Sequence, residues 1–157
     1  MIFKKKQVLL AVTDGEAIPL SSVRDEAFAS GMLGVGFAIE PSMGTVSSPV
    51  GGMVESVAET GHAYTIHTKD GLDILVHIGI DTVSLNGDGF LPMAKEGDTV
   101  KAGDVLARVD LDRVRKSGCP VTIPVLITNP EALKEHSCFV GKQVIGGKDA
   151  VMEYRTS

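Results

Sequence analysis

Two histidines, in Gly61-His62-Ala63-Tyr64 and in Leu75-Val76-His77-Ile78-Gly79, stand in otherwise apolar runs on either side of a turn sequence. An imidazole, with an ordinary pKa of about 6.5, is a mostly neutral nucleophile near pH 7 that can still take up a proton. Two of them facing each other would make a group-transfer site. Asp70-Gly71 is the favoured dipeptide for a two-residue type I′ hairpin loop. That loop pairs Lys69 with Leu72, sets Tyr64 opposite His77, and places His62 on the pleat face of His77 as a diagonal neighbour, about 7–8 Å away between backbones. A one-residue change in loop length would send the two rings to opposite faces.

The elements that must position this pair are read from the turn residues. Eighteen glycines, seven prolines and 4% aromatic residues describe many short elements joined by tight turns. Strand-like runs recur at Gln7–Val12, Gly36–Glu40, Met53–Val57, Ala63–Thr68, Leu72–Ile78, Val105–Val109 and Val121–Ile127. The rhythm is all-β, an antiparallel sandwich or barrel with short helical turns. Asn129-Pro130-Glu131 places a cap before a proline and predicts a short helix over Pro130–His136. Asp110 predicts another over Leu111–Lys116, stopped at Gly118.

At 157 residues with 43% hydrophobic residues, the whole chain, 1–157, is expected to form one domain with a substantial core. A net charge of −5 argues against a nucleic-acid partner, which needs a clustered positive surface. The one basic run, Lys4-Lys5-Lys6, reads as a solvated start to the chain. The apolar run after it, Val8–Val12, is too short for an export signal, and no segment approaches a membrane span, so a cytoplasmic chain is expected. Cys119 and Cys138 lack metal or redox spacing and are expected to be reduced packing residues. No cofactor and no intrinsic metal is called for.

Ser48–Val54 and Glu96–Leu106 form a suggestive half-repeat, like the two turns of a biotinyl or lipoyl carrier domain. Such a carrier needs a lysine at an exposed hairpin tip, usually between methionines. Met-Lys-Met does not occur, so the similarity is one of architecture.

Larger stretches carry a more specific resemblance. They include Pro19-Leu20 with Val23-Arg24-Asp25 and Phe28, Gly34-Val35-Gly36, Ser48-Pro49-Val50-Gly51-Gly52, Glu59-Thr60-Gly61-His62-Ala63, Val76-His77-Ile78-Gly79-Ile80-Asp81-Thr82-Val83, Gly87-Asp88-Gly89-Phe90, Glu96-Gly97-Asp98-Thr99-Val100, and Pro124-Val125 with Thr128-Asn129. In these the chain resembles the glucose-type IIA components of the bacterial phosphoenolpyruvate-dependent sugar phosphotransferase system, with His77–Val83 the most specific stretch.

The resemblance implies an antiparallel β-sandwich-like barrel of the duplicated hybrid motif type that carries a phosphoryl group on a histidine. The group would come from the small phosphocarrier HPr and pass to a cysteine on the IIB domain of a sugar permease, which would be the only link to a membrane. By position, His77 matches the phosphorylated histidine, His62 its supporting partner, and Thr60 the hydroxyl that orients His62. Phe28, Met32, Leu33, Leu75 and Val83 match an apolar docking ring, each also a candidate for ordinary packing. The family commonly has aromatics at the positions of Ala58 and Leu75.

Those roles agree with the chemistry. Phosphoryl transfer has a loose transition state, so a protein mainly positions the reactants and stabilises charge on the equatorial oxygens. The acceptor must present an unprotonated nitrogen, and a second ring can aim an N–H at the phosphoryl oxygens. Gly79 would let backbone and phosphate approach closely, or simply make a tight turn. Asp81 could cap a turn or meet a basic residue of HPr. His67, near the hairpin turn, reads as a solvated strand residue, and His136 as the end of the short helix.

Two other classes compete. A zinc hydrolase would need a third protein ligand, which no HxH or HExxH run supplies, although a partner's carboxylate could complete a zinc site between His62 and His77. A regulatory module would bind permeases or metabolic enzymes according to phosphorylation, since a phosphate of about −1.5 to −2 charge would disrupt an apolar interface.

Overall fold

Short apolar runs bounded by glycine, proline and acidic residues fold into fourteen strands among the described residues, 5–157, of this computed structural model. In chain order they are β1 (Gln7–Leu10), β2 (Gly15–Pro19), β3 (Val35–Pro41), β4 (Thr45–Ser47), β5 (Gly52–Val57), β6 (Ala63–His67), β7 (Asp73–His77), β8 (Phe90–Pro92), β9 (Thr99–Val100), β10 (Val105–Val109), β11 (Ile123–Ile127), β12 (Leu133–Cys138), β13 (Lys142–Val144) and β14 (Ala150–Thr156). Two short α-helices, α1 (Glu26–Ala29) and α2 (Leu111–Lys116), and three 3-10 turns complete the described elements. Of the Lys4-Lys5-Lys6 run, Lys4 lies outside the described residues, Lys5 is exposed, and Lys6 pairs with Glu153 at 2.7 Å.

The strands form an eight-stranded sheet in the order β13-β2-β3-β11-β7-β6-β5-β9 and two three-stranded sheets, β1-β14-β12 and β4-β10-β8. Neighbours are antiparallel. The large sheet keeps two edges, β13 and β9, so the expected sandwich is present and a closed barrel is not. The two halves of the suggestive repeat lie against each other. Gly103 donates to the carbonyl of Ser48, Ser48 donates to that of Asp104, and Gly52 pairs with Val100.

The large sheet is apolar on both faces in its middle. All five residues of β11 are buried, the pattern of a strand covered on both sides. Phe37, Ile39, Ile74, Val76, Val125 and Ile127 join the main core. From the same strands Ala38, Leu126 and Leu75 point the other way, into a second cluster with Leu20, Val23, Phe28 and Ile80.

Helix α2 forms as expected. The Asp110 carboxylate accepts from the Arg113 N–H at 3.1 Å, and Gly118, at φ +92°, lies just beyond the C-cap. The predicted helix over Pro130–His136 does not. It stops after one 3-10 turn, Pro130–Ala132, and His136 lies in β12 opposite Tyr154. So short a helix is marginal alone, and pairing with β14 satisfies the same backbone groups at lower cost. Asn129 makes no cap; its side chain accepts from the Asp73 N–H and donates to the Gly71 carbonyl, both at 2.9 Å, tying down the hairpin turn.

Both cysteines are free and half-buried against the main core, and burial pushes the Cys138 thiol up.

Candidate active site

The β6–β7 hairpin turns through three residues, not two. Thr68 and Leu72 close the loop, with the Thr68 N–H donating to the Leu72 carbonyl at 2.9 Å and Gly71 at φ +90°. The Thr68 hydroxyl accepts from the Leu72 N–H at 3.0 Å, a side-chain brace that the Asp-Gly signal does not contain. The whole ladder therefore moves by one residue: Ala63, not Tyr64, faces His77, and Tyr64 faces Val76. Tyr64, Ile66, Ile74 and Val76 turn to the main core, while His77 stands on the other face with Leu75.

Strand parity alone would now separate the two histidines, yet their rings meet, with centroids 5.0 Å apart and planes at 79°. His62 precedes β6, where the pleat no longer dictates direction. The chain bends there after Gly61 at φ +74°, and the Ile78 N–H donates to the His62 carbonyl at 2.7 Å. A Cβ on Gly61 would lie 2.7 Å from the Pro92 ring, so β8 walls the bend and requires glycine. The pairing expected from the hairpin is thus present for a different reason.

His77 is half-buried, and its Nδ1 lies 2.8 Å from the Gly79 carbonyl oxygen. A carbonyl only accepts, so in the neutral ring Nδ1 carries the proton and Nε2 keeps its lone pair. Gly79 is at φ +80°, with its N–H on the Thr122 carbonyl at 3.1 Å; the next N–H, of Ile80, donates to the Pro120 carbonyl at 3.0 Å. Thr82, fully buried, donates to the Ile78 carbonyl at 2.6 Å and locks the loop from beneath. Phe28 packs beside His77 at 5.2 Å between centroids. Burial holds the His77 pKa below its ordinary value, against the opposing pull of the Gly79 hydrogen bond and of Asp25 and Asp81.

His62 is only 8% exposed. Its Nδ1 shares a 2.5 Å hydrogen bond with the Thr60 hydroxyl, which sits in the turn joining β5 to β6. Burial, then the neighbouring His77, lowers the His62 pKa. Both rings are thereby kept neutral through the physiological range.

Of the residues matched to the docking ring, Met32 (76% exposed), Leu33 and Val83 (57%) present apolar side chains to solvent, Leu75 is half-buried, and Phe28, beside His77, is a buried member of the second cluster. Asp81 does not cap through its side chain. It is exposed in the left-handed region, φ +60°, ahead of the 3-10 turn Thr82–Leu85, and its carbonyl accepts from the Ser84 hydroxyl at 2.8 Å. His67 shares the outer face of the hairpin with His77 but lies at its far end, opposite Asp73. Thr82 and the Gly61–Pro92 contact, which hold the loops beneath the rings, went unread in the sequence, where nothing distinguishes a packing threonine or proline.

A family model for the phosphoenolpyruvate-dependent sugar phosphotransferase system, EIIA 1, matches residues 7–133. The chain belongs to that family. Against the glucose-specific EIIA component of Oceanobacillus iheyensis it is 36% identical over 149 residues, covering 95% of this chain and 90% of the relative. With the glucose-specific EIICBA component of Streptococcus pneumoniae it shares 47% over 124 residues, 79% of this chain but 17% of that protein. It spans less than a quarter of such multi-component relatives. The solved glucose permease IIA of Mycoplasma capricolum superposes with a TM-score of 0.85 at 39% identity, covering 98% of both chains. The EIIA component is a phosphotransferase component, a phosphocarrier in sugar uptake, and the hydrolase alternative finds no support. No helix among the described residues is long and apolar enough to cross a membrane.

Proposed function

We propose that His77 Nε2 carries the phosphoryl group. The observation that carries this reading is the Nδ1 hydrogen bond to the Gly79 carbonyl, which leaves Nε2 as the nucleophilic nitrogen, beside a second neutral ring. A phosphohistidine on HPr docks over the exposed apolar side chains of Met32, Leu33 and Val83 and the half-buried Leu75, with Phe28 supporting it from below and Asp81 beside it. The donor's N–P bond breaks as the His77 Nε2–P bond forms, with no net proton change at His77.

With the Thr60 hydroxyl donating to Nδ1, His62 bears its proton on Nε2 and aims that N–H at the phosphoryl oxygens as their charge develops. In the second half-reaction the thiolate of a IIB cysteine forms the S–P bond, the His77 N–P bond breaks, and the lone pair returns to Nε2. Both half-reactions are read as occurring on the cytosolic side of a permease, which selects the sugar.

The test incubates the chain with phosphoenolpyruvate, enzyme I and HPr and measures acid-labile phosphate by intact mass. The wild-type chain takes up one phosphate, and His77→Ala takes up none. His62→Gln is expected to accept but to donate slowly to a IIB domain. Phosphate retained by His77→Ala, or equal loss of both steps in His62→Gln, refutes the assignment.

A further inference from the structure

At the opposite end of the same hairpin, three adjacent strands converge one ligand each. His67 of β6 stands directly opposite Asp73 of β7, with His67 Nδ1 2.7 Å from Asp73 Oδ1. On the other side of β6, the register with β5 slips between Val54 and Ser56 and leaves Glu55 without a ladder partner. Bulges of this kind re-aim side chains. One donor atom from each of Glu55, His67 and Asp73 lies within 4.8 Å of the other two.

We propose that these three side chains form a site for a divalent transition-metal ion of the zinc class. One imidazole nitrogen with two carboxylate oxygens is a borderline donor set, too nitrogen-rich for calcium and lacking the thiolates of a soft-metal site. Three protein ligands leave a fourth position for water, and the exposure of Glu55 and His67 leaves an open path for entry. In the metal-free chain the Nδ1–H of His67 bridges to Asp73; the ion takes its place, an imidazolium ring releasing that proton to solvent and a neutral ring carrying it instead on Nε2, and the Nδ1 lone pair binds the metal. Donor atoms around a tetrahedral zinc lie about 3.3 Å apart, so the His67–Asp73 contact opens slightly as Glu55 closes in.

The bound ion would pin the bulged β5 to the hairpin that carries both active-site rings. It would sit about 13 Å along β6 from Ala63, the residue opposite His77, well clear of the transfer chemistry.

Because His62 and His77 form an imidazole pair that can itself hold zinc, the experiment uses the His62→Gln/His77→Gln chain with zinc chloride alone. Isothermal calorimetry should give one zinc per chain, with a buffer-dependent proton release at about pH 6, where the His67 ring is protonated before it binds. Zinc at about a hundredfold over Kd should raise Tm by about 5–10 °C. Adding His67→Gln should abolish both signals. Adding Glu55→Gln instead, which leaves the His67–Asp73 bond intact, should weaken binding at least about tenfold. No zinc bound by the double variant, or binding that neither addition weakens, overturns the proposal and leaves the cluster an ion pair.

Discussion

Gly79 is the position where one methyl group should do the most damage. Replacing it with alanine places a Cβ on a residue at φ +80°, which costs about 1–2 kcal/mol in the left-handed region. That Cβ would lie 2.4 Å from Thr82 Cγ2 and 3.1 Å from the Pro120 carbonyl oxygen, whereas carbon atoms normally settle at about 3.5–4.0 Å. Thr82 cannot swing aside cheaply, because it is fully buried with its hydroxyl on the Ile78 carbonyl. Overpacking of this kind adds about 1–3 kcal/mol, so Gly79→Ala should lose about 2–5 kcal/mol in all. For a chain of this size that is a fall in Tm of about 4–20 °C by calorimetry.

The same displacement moves the carbonyl that orients His77, and an error of about 1 Å at a reacting group can cost about a hundredfold in rate. Acceptance from phospho-HPr, measured below the unfolding transition, should slow accordingly. Thr82→Ser removes the colliding methyl and keeps the hydroxyl, so the double variant should recover about 1–3 kcal/mol relative to additivity. Additivity within about 0.5 kcal/mol would refute the packing argument. Unchanged acceptance in a clearly destabilised Gly79→Ala would refute the orienting role of the Gly79 carbonyl.

Three further outcomes are expected. Burial lowers the pKa of both rings of the His62–His77 pair from 6.5, which favours their neutral forms. Phosphoryl acceptance should therefore reach half its maximum below pH 6.5, and a midpoint at or above 6.5 would contradict the burial argument. The sign for stability is the same: the neutral rings favour the fold above 6.5, and that contribution is lost as pH falls toward the lowered values. His67 runs oppositely. Its hydrogen bond to Asp73 raises its pKa, so its contribution is complete below 6.5 and fades as pH rises through the raised value, and Asp73→Asn should flatten that alkaline decline in a urea-unfolding series. Val83→Glu, on a residue 57% exposed, should change stability by less than about 0.5 kcal/mol yet raise the KM for phospho-HPr about tenfold or more, which steady-state transfer assays would detect.

The parts legible in the sequence were those written in local chemistry. Asp110 and Gly118 announce their helix because a cap and a left-handed stop act within a few residues, and β7, β10 and β11 announce themselves by apolar runs. The strands that the sequence does not announce, β2, β4, β8, β9, β12, β13 and β14, are short or mixed polar segments whose conformation comes from their partners, as His136 opposite Tyr154 illustrates. The hairpin register is not legible in Asp70-Gly71 because the Thr68 hydroxyl closes a longer loop than that dipeptide requires. His62 and His77 nevertheless meet, since Gly61 frees His62 from the strand alternation. The residue types at the site were readable, and the geometry that unites them belongs to a bend outside the ladder.

The second apolar face of the large sheet has a consequence for how this molecule can change over time. Phe28 packs beside His77 from a cluster, held with Ile80, Leu126 and Leu75, that the main core does not share, with the strands themselves as the partition. Substitutions beneath Tyr64 or Ile39 would be felt as global unfolding, whereas those in the smaller compartment would first tilt one imidazole. Partner preference can therefore drift through the thin layer while the bulk of the fold is inherited intact.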